Sequence, residues 1–170
     1  MSLLNTLIRR RRDAEEMRPL WDTVVREARN PIWYAQLGVE DSEAGRFDML
    51  TAAFSLLLLR MERKPAMEEE SSLVTELFVK DMDGQLRESG VGDLVVGKHV
   101  VKLMGTLGGR LGAYREGLAD RSGSGLSDAV KRNVTLTEGA DPSMLAMRLG
   151  QLYQRLCAAD TKDVRKGEFW

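Results

Sequence analysis

Cysteine and histidine are nearly absent from this sequence of 170 residues, which contains one of each, Cys157 and His99. A disulfide needs two cysteines, and a zinc or iron–sulfur site needs a cluster of cysteine or histidine ligands. A Ser-His-Asp mechanism would have to run entirely through His99. Much of the common enzyme repertoire is therefore improbable, and we predict no catalytic residues, no cofactor and no metal site.

An excess of charge of one sign and a long apolar run are also lacking. The chain has 25 Lys and Arg against 26 Asp and Glu, for a net charge of −1, and a bulk nucleic-acid binder would show a strong basic excess. The longest apolar stretch runs from Phe47 to Met61 and is bounded by Asp48 and Arg60. It is shorter than the roughly 20 residues that span a bilayer, so we predict the central helix of a soluble core.

The amino terminus combines apolar and basic residues. Leu3, Leu4, Leu7 and Ile8 precede four arginines, Arg9 to Arg12, whereas a secretory signal carries its positive charge before the apolar stretch. We predict a basic, amphipathic segment over residues 1–17 and a helical domain over residues 18–170. Either residues 3–12 make weak peripheral contact with an anionic membrane, or this terminus is solvated or packs on the body.

Apolar residues recur at three- and four-residue steps along most of the chain, which predicts helices. We expect an all-α, single-domain bundle of about six to eight helices. Pro19, Pro31 and the Asp141-Pro142 pair mark helix starts, Asp41 and Ser42 offer N-cap oxygens, and Pro65 ends the long apolar helix. The predicted breaks are a loop over residues 90–96 and a flexible segment over residues 121–125.

One helix, which we expect to end near Ala119, carries glycines on one side. At about 100° per residue, four glycines lie opposite its apolar stripe and next to Lys98 and Lys102: Gly105, Gly108, Gly109 and Gly112. A glycine in an exposed helix costs about 0.8–1 kcal/mol relative to alanine, so four amount to roughly 3–4 kcal/mol. Such a face is useful where another backbone approaches closely. The approaching element is either a helix of this domain or a bound partner, and an internal helix is the interpretation we favour.

Two motifs suggest other functions. Residues 92–99 match most of the phosphate-binding pattern GxxxxGK[ST], so a nucleotide-binding protein is an alternative, but His99 replaces the magnesium-binding hydroxyl and a helix precedes the motif where a strand is required. Residues 81–84 resemble the start of a calcium loop, but Leu86 holds the position that requires glycine. Those acids are a solvated helix face or a face that contacts a partner.

Three stretches together resemble the ubiquinol–cytochrome c chaperone family, the assembly factors for cytochrome b of the respiratory bc1 complex. They are residues 30–50 (NPIWYAQLGVEDSEAGRFDML), residues 81–98 (DMDGQLRESGVGDLVVGK) and residues 109–114 (GRLGAY). The resemblance covers about residues 20–135, in the family's order and approximate spacing. The chain departs from the pattern at residues 51–54, where Thr-Ala-Ala-Phe replaces an expected Leu-His step.

The resemblance implies a non-catalytic helical chaperone that binds newly made cytochrome b. It also implies partners that include a small protein or the ribosome, as for mitochondrial members. We expect a bacterial-type member in the cytoplasm, at the periphery of the inner membrane. A generic helical adaptor is the alternative. The resemblance marks eight residues as partner-contact or loop-shaping positions: Arg46, Asp48, Asp81, Asp83, Arg87, Asp93, Lys98 and Arg110.

Further candidate contacts come from the residues themselves. Lys102, Gly105 and Gly109 belong to the glycine-bearing face. Leu94, Val95 and Val96 are apolar residues within the predicted loop, and they need burial somewhere. We slightly favour burial in the domain's own core, with Asp93 capping the next helix. The alternative is an apolar patch that receives a segment of the client.

Overall fold

Helices make up 79% of the computed structural model. The structure describes residues 13–88 and 93–170, with the side chains of Leu86 and of residues 93–96 left out of the description. The described part contains no β-strand, only an isolated bridge between Val39 and Leu136. The predicted all-α, single-domain bundle is thus confirmed. We number its helices α1 (Arg18–Ala28), α2 (Pro31–Ala35), α3 (Glu43–Glu62), α4 (Glu68–Glu88), α5 (Asp93–Ala119), α6 (Gly125–Asn133), α7 (Pro142–Ala158) and α8 (Thr161–Lys166).

Side-chain caps fix several helix starts at the predicted places. The Ser42 hydroxyl accepts a hydrogen bond from the Gly45 N–H (3.2 Å) at the start of α3. The Asp141 carboxylate accepts one from the Ser143 N–H (2.9 Å) at the start of α7. A short 3-10 turn at Pro65–Met67 separates α3 from α4. These caps satisfy backbone donors that have no partner within the helix.

The apolar helix α3 lies at the centre of the core, as the sequence predicts. All residues from 51 to 61 are buried, and α3 packs against α1, α4, α5 and α7. Contacts between aromatic rings join α3 to α1 and α4, with the ring centroids of Trp21 and Phe54 5.3 Å apart in an edge-to-face arrangement and those of Phe54 and Phe78 5.1 Å apart and tilted. Over residues 13–88 and 93–170, no helix has both the length and the apolar character needed to cross a membrane.

One sequence prediction about a helix boundary is wrong, and one helix was not predicted. The predicted loop over residues 90–96 is too long, because α5 begins at Asp93 and includes Leu94, Val95 and Val96 in its first turn. Of the three apolar residues in that turn, only Val96 continues the period of the stripe that follows, and the flanking glycines indicate a loop, so the sequence did not reveal where the helix begins. Helix α8 was not predicted, because its six residues include one buried apolar side chain, Val164, and one apolar residue cannot show a helical spacing.

Candidate partner-binding surface

The α5 helix carries a face that nothing in the described part of the chain covers. A Cβ atom added at Gly97, Gly105, Gly108, Gly109 or Gly112 would meet no atom within 4 Å. No helix within residues 13–88 and 93–170 packs on these glycines, contrary to the interpretation favoured from the sequence. The open face of α5 comprises, by this criterion or by exposure, Gly97, Lys98, Val101, Lys102, Met104, Gly105, Gly108, Gly109 and Gly112.

Two large apolar side chains stand on the open face of α5. Val101 is 73% exposed and Met104 is 37% exposed, although the sequence placed Met104 on the apolar stripe. Lys98 and Lys102 are exposed on the same side, one helical turn apart. An apolar, small-residue surface with a basic edge is chemically suited to an apolar helix that carries a negative charge at its end.

The opposite side of α5 attaches the helix to the bundle. Leu107 and Tyr114 are 3% and 0% exposed, and Leu103 and Leu111 pack partly buried against the core. The helix contacts α3, α4 and α6. Burial raises the pKa of the Tyr114 phenol because its charged form would lose hydration.

A buried ion pair fixes the middle of α5 against α3. The Arg110 guanidinium donates to the Asp48 carboxylate (2.5 Å) and to the Thr51 hydroxyl (2.5 Å). The other Asp48 oxygen accepts from the backbone N–H (2.8 Å) and hydroxyl (2.7 Å) of Thr135. Arg110 also lies over the Phe47 ring, 5.2 Å from its centroid. We call this cluster the Asp48 junction.

Asp48 and Arg110 were predicted as candidate partner contacts, and the structure places both inside the domain. Asp48 is 5% exposed, and the Arg110 side chain is 15% exposed. Their observed contacts join α3, α5 and the segment after α6, so they position the open face of α5; direct contact with a partner stays a prediction. Sequence reasoning missed Thr135, because no spacing links it to a residue 87 positions away.

The acidic residues on α4 have two different surroundings. Asp81 accepts the Trp21 indole N–H (2.6 Å) and an Arg18 N–H (3.2 Å), which joins α4 to α1. Asp83 pairs with Arg87 along the same helix (2.8 Å), with both side chains partly exposed. The side chains of Asp81 and Asp83 are almost equally exposed, at 32% and 29%, and Arg87 is 50% exposed, so what separates the two acids is their partners and not their accessibility.

The remaining candidate positions are dispersed. Arg46 is exposed and pairs with Asp41 (2.8 Å) near the start of α3. Asp93, Leu94, Val95 and Val96 form the first turn of α5, and their side chains lie outside the described structure, so both interpretations of these residues stay predictions. The predicted membrane contact of residues 3–12 also lies outside the described residues.

Neither a phosphate loop nor a metal centre is present in the described part of the chain. Residues 93–99, which carry most of the phosphate-loop pattern, are helical, whereas phosphate binding by that motif requires an open loop delivered by a strand. Across residues 13–88 and 93–170, no three carboxylate, imidazole or thiol side chains come together as a metal ion would need.

A model of the family described as ubiquinol-cytochrome C chaperone matches residues 35–166, more than three quarters of the sequence. The chain belongs to the ubiquinol–cytochrome c chaperone family. A crystal structure of the Cbp3 homolog from Brucella abortus is similar over 98% of this chain and 95% of that chain, with a TM-score of 0.80 and 30% sequence identity. No curated protein matches the sequence.

In this ubiquinol–cytochrome c chaperone, the matched range contains the open face of α5 and the whole Asp48 junction. It begins after most of α2, so α1 lies outside it, and it ends at the last residue of α8. The family resemblance predicted from the sequence is confirmed, and the match extends further toward the carboxyl end than the predicted residues 20–135.

Proposed function

We propose that this chaperone binds newly made cytochrome b through the open face of α5 and holds it during assembly of the bc1 complex, without catalysing a reaction. Family membership supports the assembly role. The observation that carries the choice of surface is a helix face on which four glycines in two turns meet no neighbour, next to Val101 at 73% exposure.

The glycines of the open face lower the stability of the domain. Four exposed helix glycines destabilise the domain by roughly 3–4 kcal/mol relative to alanine, a large part of the 5–15 kcal/mol typical of folded domains. In membrane proteins, small residues allow two helix backbones to approach closely and gain dispersion contacts. Cytochrome b is built of such apolar helices. The open face is therefore suited to hold one of them before it reaches its final partners.

Charge sets the orientation of the bound helix in this proposal. Lys98 and Lys102 are exposed at the amino-terminal end of the open face, and charges at an interface rim affect orientation and association rate more than affinity. We also propose that the protein works in the bacterial cytoplasm beside the inner membrane, where its client is made. A small partner protein or the ribosome would then meet other surfaces, including the Asp83–Arg87 pair.

Substituting Gly109 tests the surface. Gly109→Leu adds a side chain where nothing lies within 4 Å, so the variant should fold, and replacing glycine in an exposed helix should raise its stability by up to about 1 kcal/mol. Cytochrome b recovered with the tagged protein should fall about tenfold or more. The matched control is Gln154→Leu, which adds an exposed leucine on α7.

Two results would overturn the choice of surface. Unfolding of Gly109→Leu would mean that an element of the chain packs on the face, and unchanged recovery of cytochrome b would place the client elsewhere. Deletion of the chaperone in the source cell tests the function itself. Normal levels of cytochrome b and assembled bc1 complex after deletion would refute the proposed client.

A further inference from the structure

The side of α5 that carries the open face has opposite charges at its two ends. Lys98 lies at the amino-terminal end of the open face, and Glu116, which is also exposed, lies toward the carboxyl end of the same helix. The interval between them is about five turns at 3.6 residues per turn, so both lie on one side of α5, about 27 Å apart. Within the described part of the chain, neither side chain takes part in an ion pair. The two charges are too far apart to pair within one molecule.

Between these two charges the surface is small and apolar. Gly105, Gly109 and Gly112 lie with the two charges in a sector of about 60° around the helix, at 100° per residue. A Cβ atom at any of the three would meet nothing within 4 Å, and the exposed Val101 stands beside them. Glycines four residues apart allow two helix backbones to approach closely. The centre of this surface can therefore accept a second helix.

This pattern is complementary to itself when the direction of the helix is reversed. In two antiparallel copies of α5 related by a two-fold axis at the level of residue 107, Lys98 of each copy faces Glu116 of the other. Gly105 of each copy then faces Gly109 of the other, where the two backbones approach most closely. A parallel pair would place like charges side by side at both ends, which is unfavourable. Charge complementarity thus selects the antiparallel arrangement.

Net charge and area determine how strong such a pair can be. The chain has a net charge of −1, so two copies repel each other little. A strip about 27 Å long and about 10 Å wide buries on the order of 300 Å² per copy. Stable interfaces bury about 800 Å² per partner. The contact is therefore weak and reversible, and it forms at high protein concentration.

We propose that a second copy of this chain covers the open face of α5 in the isolated protein, in an antiparallel pair with two Lys98–Glu116 ion pairs around the central glycines. Both copies use the same surface, so the assembly closes at two copies and does not grow further. The pair also removes an exposed apolar patch from water. It concerns the chain alone and does not depend on which client the face binds.

Sedimentation velocity of the full-length chain in low salt tests the proposal. The natural chain should be monomeric at about 5 µM and partly dimeric at about 300 µM. Lys98→Glu and Glu116→Lys should each weaken the dimer about tenfold or more, because both symmetric ion pairs become repulsive. The matched control is Lys162→Glu, which reverses the charge of an exposed lysine on α8 and should leave the dissociation constant unchanged.

An equimolar mixture of the two single variants tests the antiparallel pairing directly. A copy with Lys98→Glu and a copy with Glu116→Lys carry opposite charges at both ends, so both ion pairs of the mixed dimer are attractive. The mixture should therefore dimerise about as strongly as the natural chain, and so should the double variant. Mixing cannot restore a dimer that was lost because one variant is misfolded.

Three results would overturn the proposal. The first is a monomer at all concentrations up to about 1 mM; if Gly109→Leu still loses cytochrome b in that case, the proposed function stands without the dimer. The second is a dimer that neither charge reversal weakens, or an equal loss in Lys162→Glu. The third is an unchanged dimer in Gly105→Leu, which adds a side chain at the centre of the contact where nothing obstructs it within one copy. We expect that variant to keep its helical circular dichroism and to be monomeric.

Discussion

Replacing Asp48 by asparagine tests whether the Asp48 junction holds α5 on the bundle. The substitution keeps the size of the side chain and removes its charge. The buried Arg110 guanidinium then loses its counter-ion. One Asp48 carboxylate oxygen faces Arg110 and the other faces Thr135, and in asparagine one of these two acceptors is replaced by an amide NH2 donor.

The size of the effect follows from burial. Asp48 is 5% exposed and the Arg110 side chain 15% exposed, so the uncompensated charge is only slightly hydrated. Removing one partner of a buried ion pair destabilises a protein by about 3–5 kcal/mol. Because an asparagine oxygen still accepts hydrogen bonds, we expect a loss near the lower end, about 3 kcal/mol. For a domain of this size that lowers Tm by roughly 6–12 °C.

Urea unfolding followed by tryptophan fluorescence measures the loss, since Trp21 and Trp33 are fully buried. Arg110→Met should cost a similar amount, and the double variant should cost clearly less than the two losses added together. The matched control is Arg46→Gln, because Arg46 pairs with Asp41 at an exposed site and its urea midpoint should stay unchanged. A loss below about 1 kcal/mol for Asp48→Asn, or additive losses, would refute this reasoning.

Two further predictions follow from the structure. A Cβ at Gly45 would overlap the Glu40 carbonyl oxygen, whereas one at Gly108 meets nothing. Gly45→Ala should therefore destabilise the domain by about 1–3 kcal/mol, and Gly108→Ala should stabilise it by up to about 1 kcal/mol. Equal urea midpoints for the two variants would contradict both predictions. Hydrogen bonds from Arg18, with the larger effect, and from Lys80 lower the pKa of Glu15 from 4.5 to about 2. The ionised Glu15 carboxylate therefore stabilises the folded protein above pH 4.5, and this contribution is lost as the pH falls through about 2. A carboxyl NMR titration should show the low value and its rise in Arg18→Gln; an ordinary value in the natural protein would contradict the contacts.

The fold could be predicted because helix signals are local. The period of the apolar residues, the caps at Ser42 and Asp141 and the prolines at helix starts each act within a few residues. The boundaries between helices were harder to predict, because the glycines around residues 90–97 suggest a loop, whereas α5 already begins at Asp93. Where a segment carries both a loop signal and a helix signal, only its packing against the rest of the fold decides which structure forms.

The partners of buried charges could not be predicted. Asp48 and Arg60 look like the charged ends of an apolar run, yet both are buried. Arg60 donates to the carbonyl oxygens of Leu156 and Ala159 (both 3.1 Å), at the carboxyl end of α7. These contacts span 96 and 99 positions in sequence, and neither charge type nor spacing identifies a backbone carbonyl as the partner.

The Asp48 junction and the open face of α5 are linked through the rotation of the helix. Arg110 directly follows Gly109, and successive residues on a helix differ by about 100° in direction. Holding Arg110 on Asp48 and Thr51 therefore fixes Gly109 on the outside, together with Gly105 one turn earlier. A rotation of α5 by one residue would turn the glycines toward the bundle and break a buried pair, which is costly. The ion pair thus sets which side of α5 is presented, although it does not itself lie on that side.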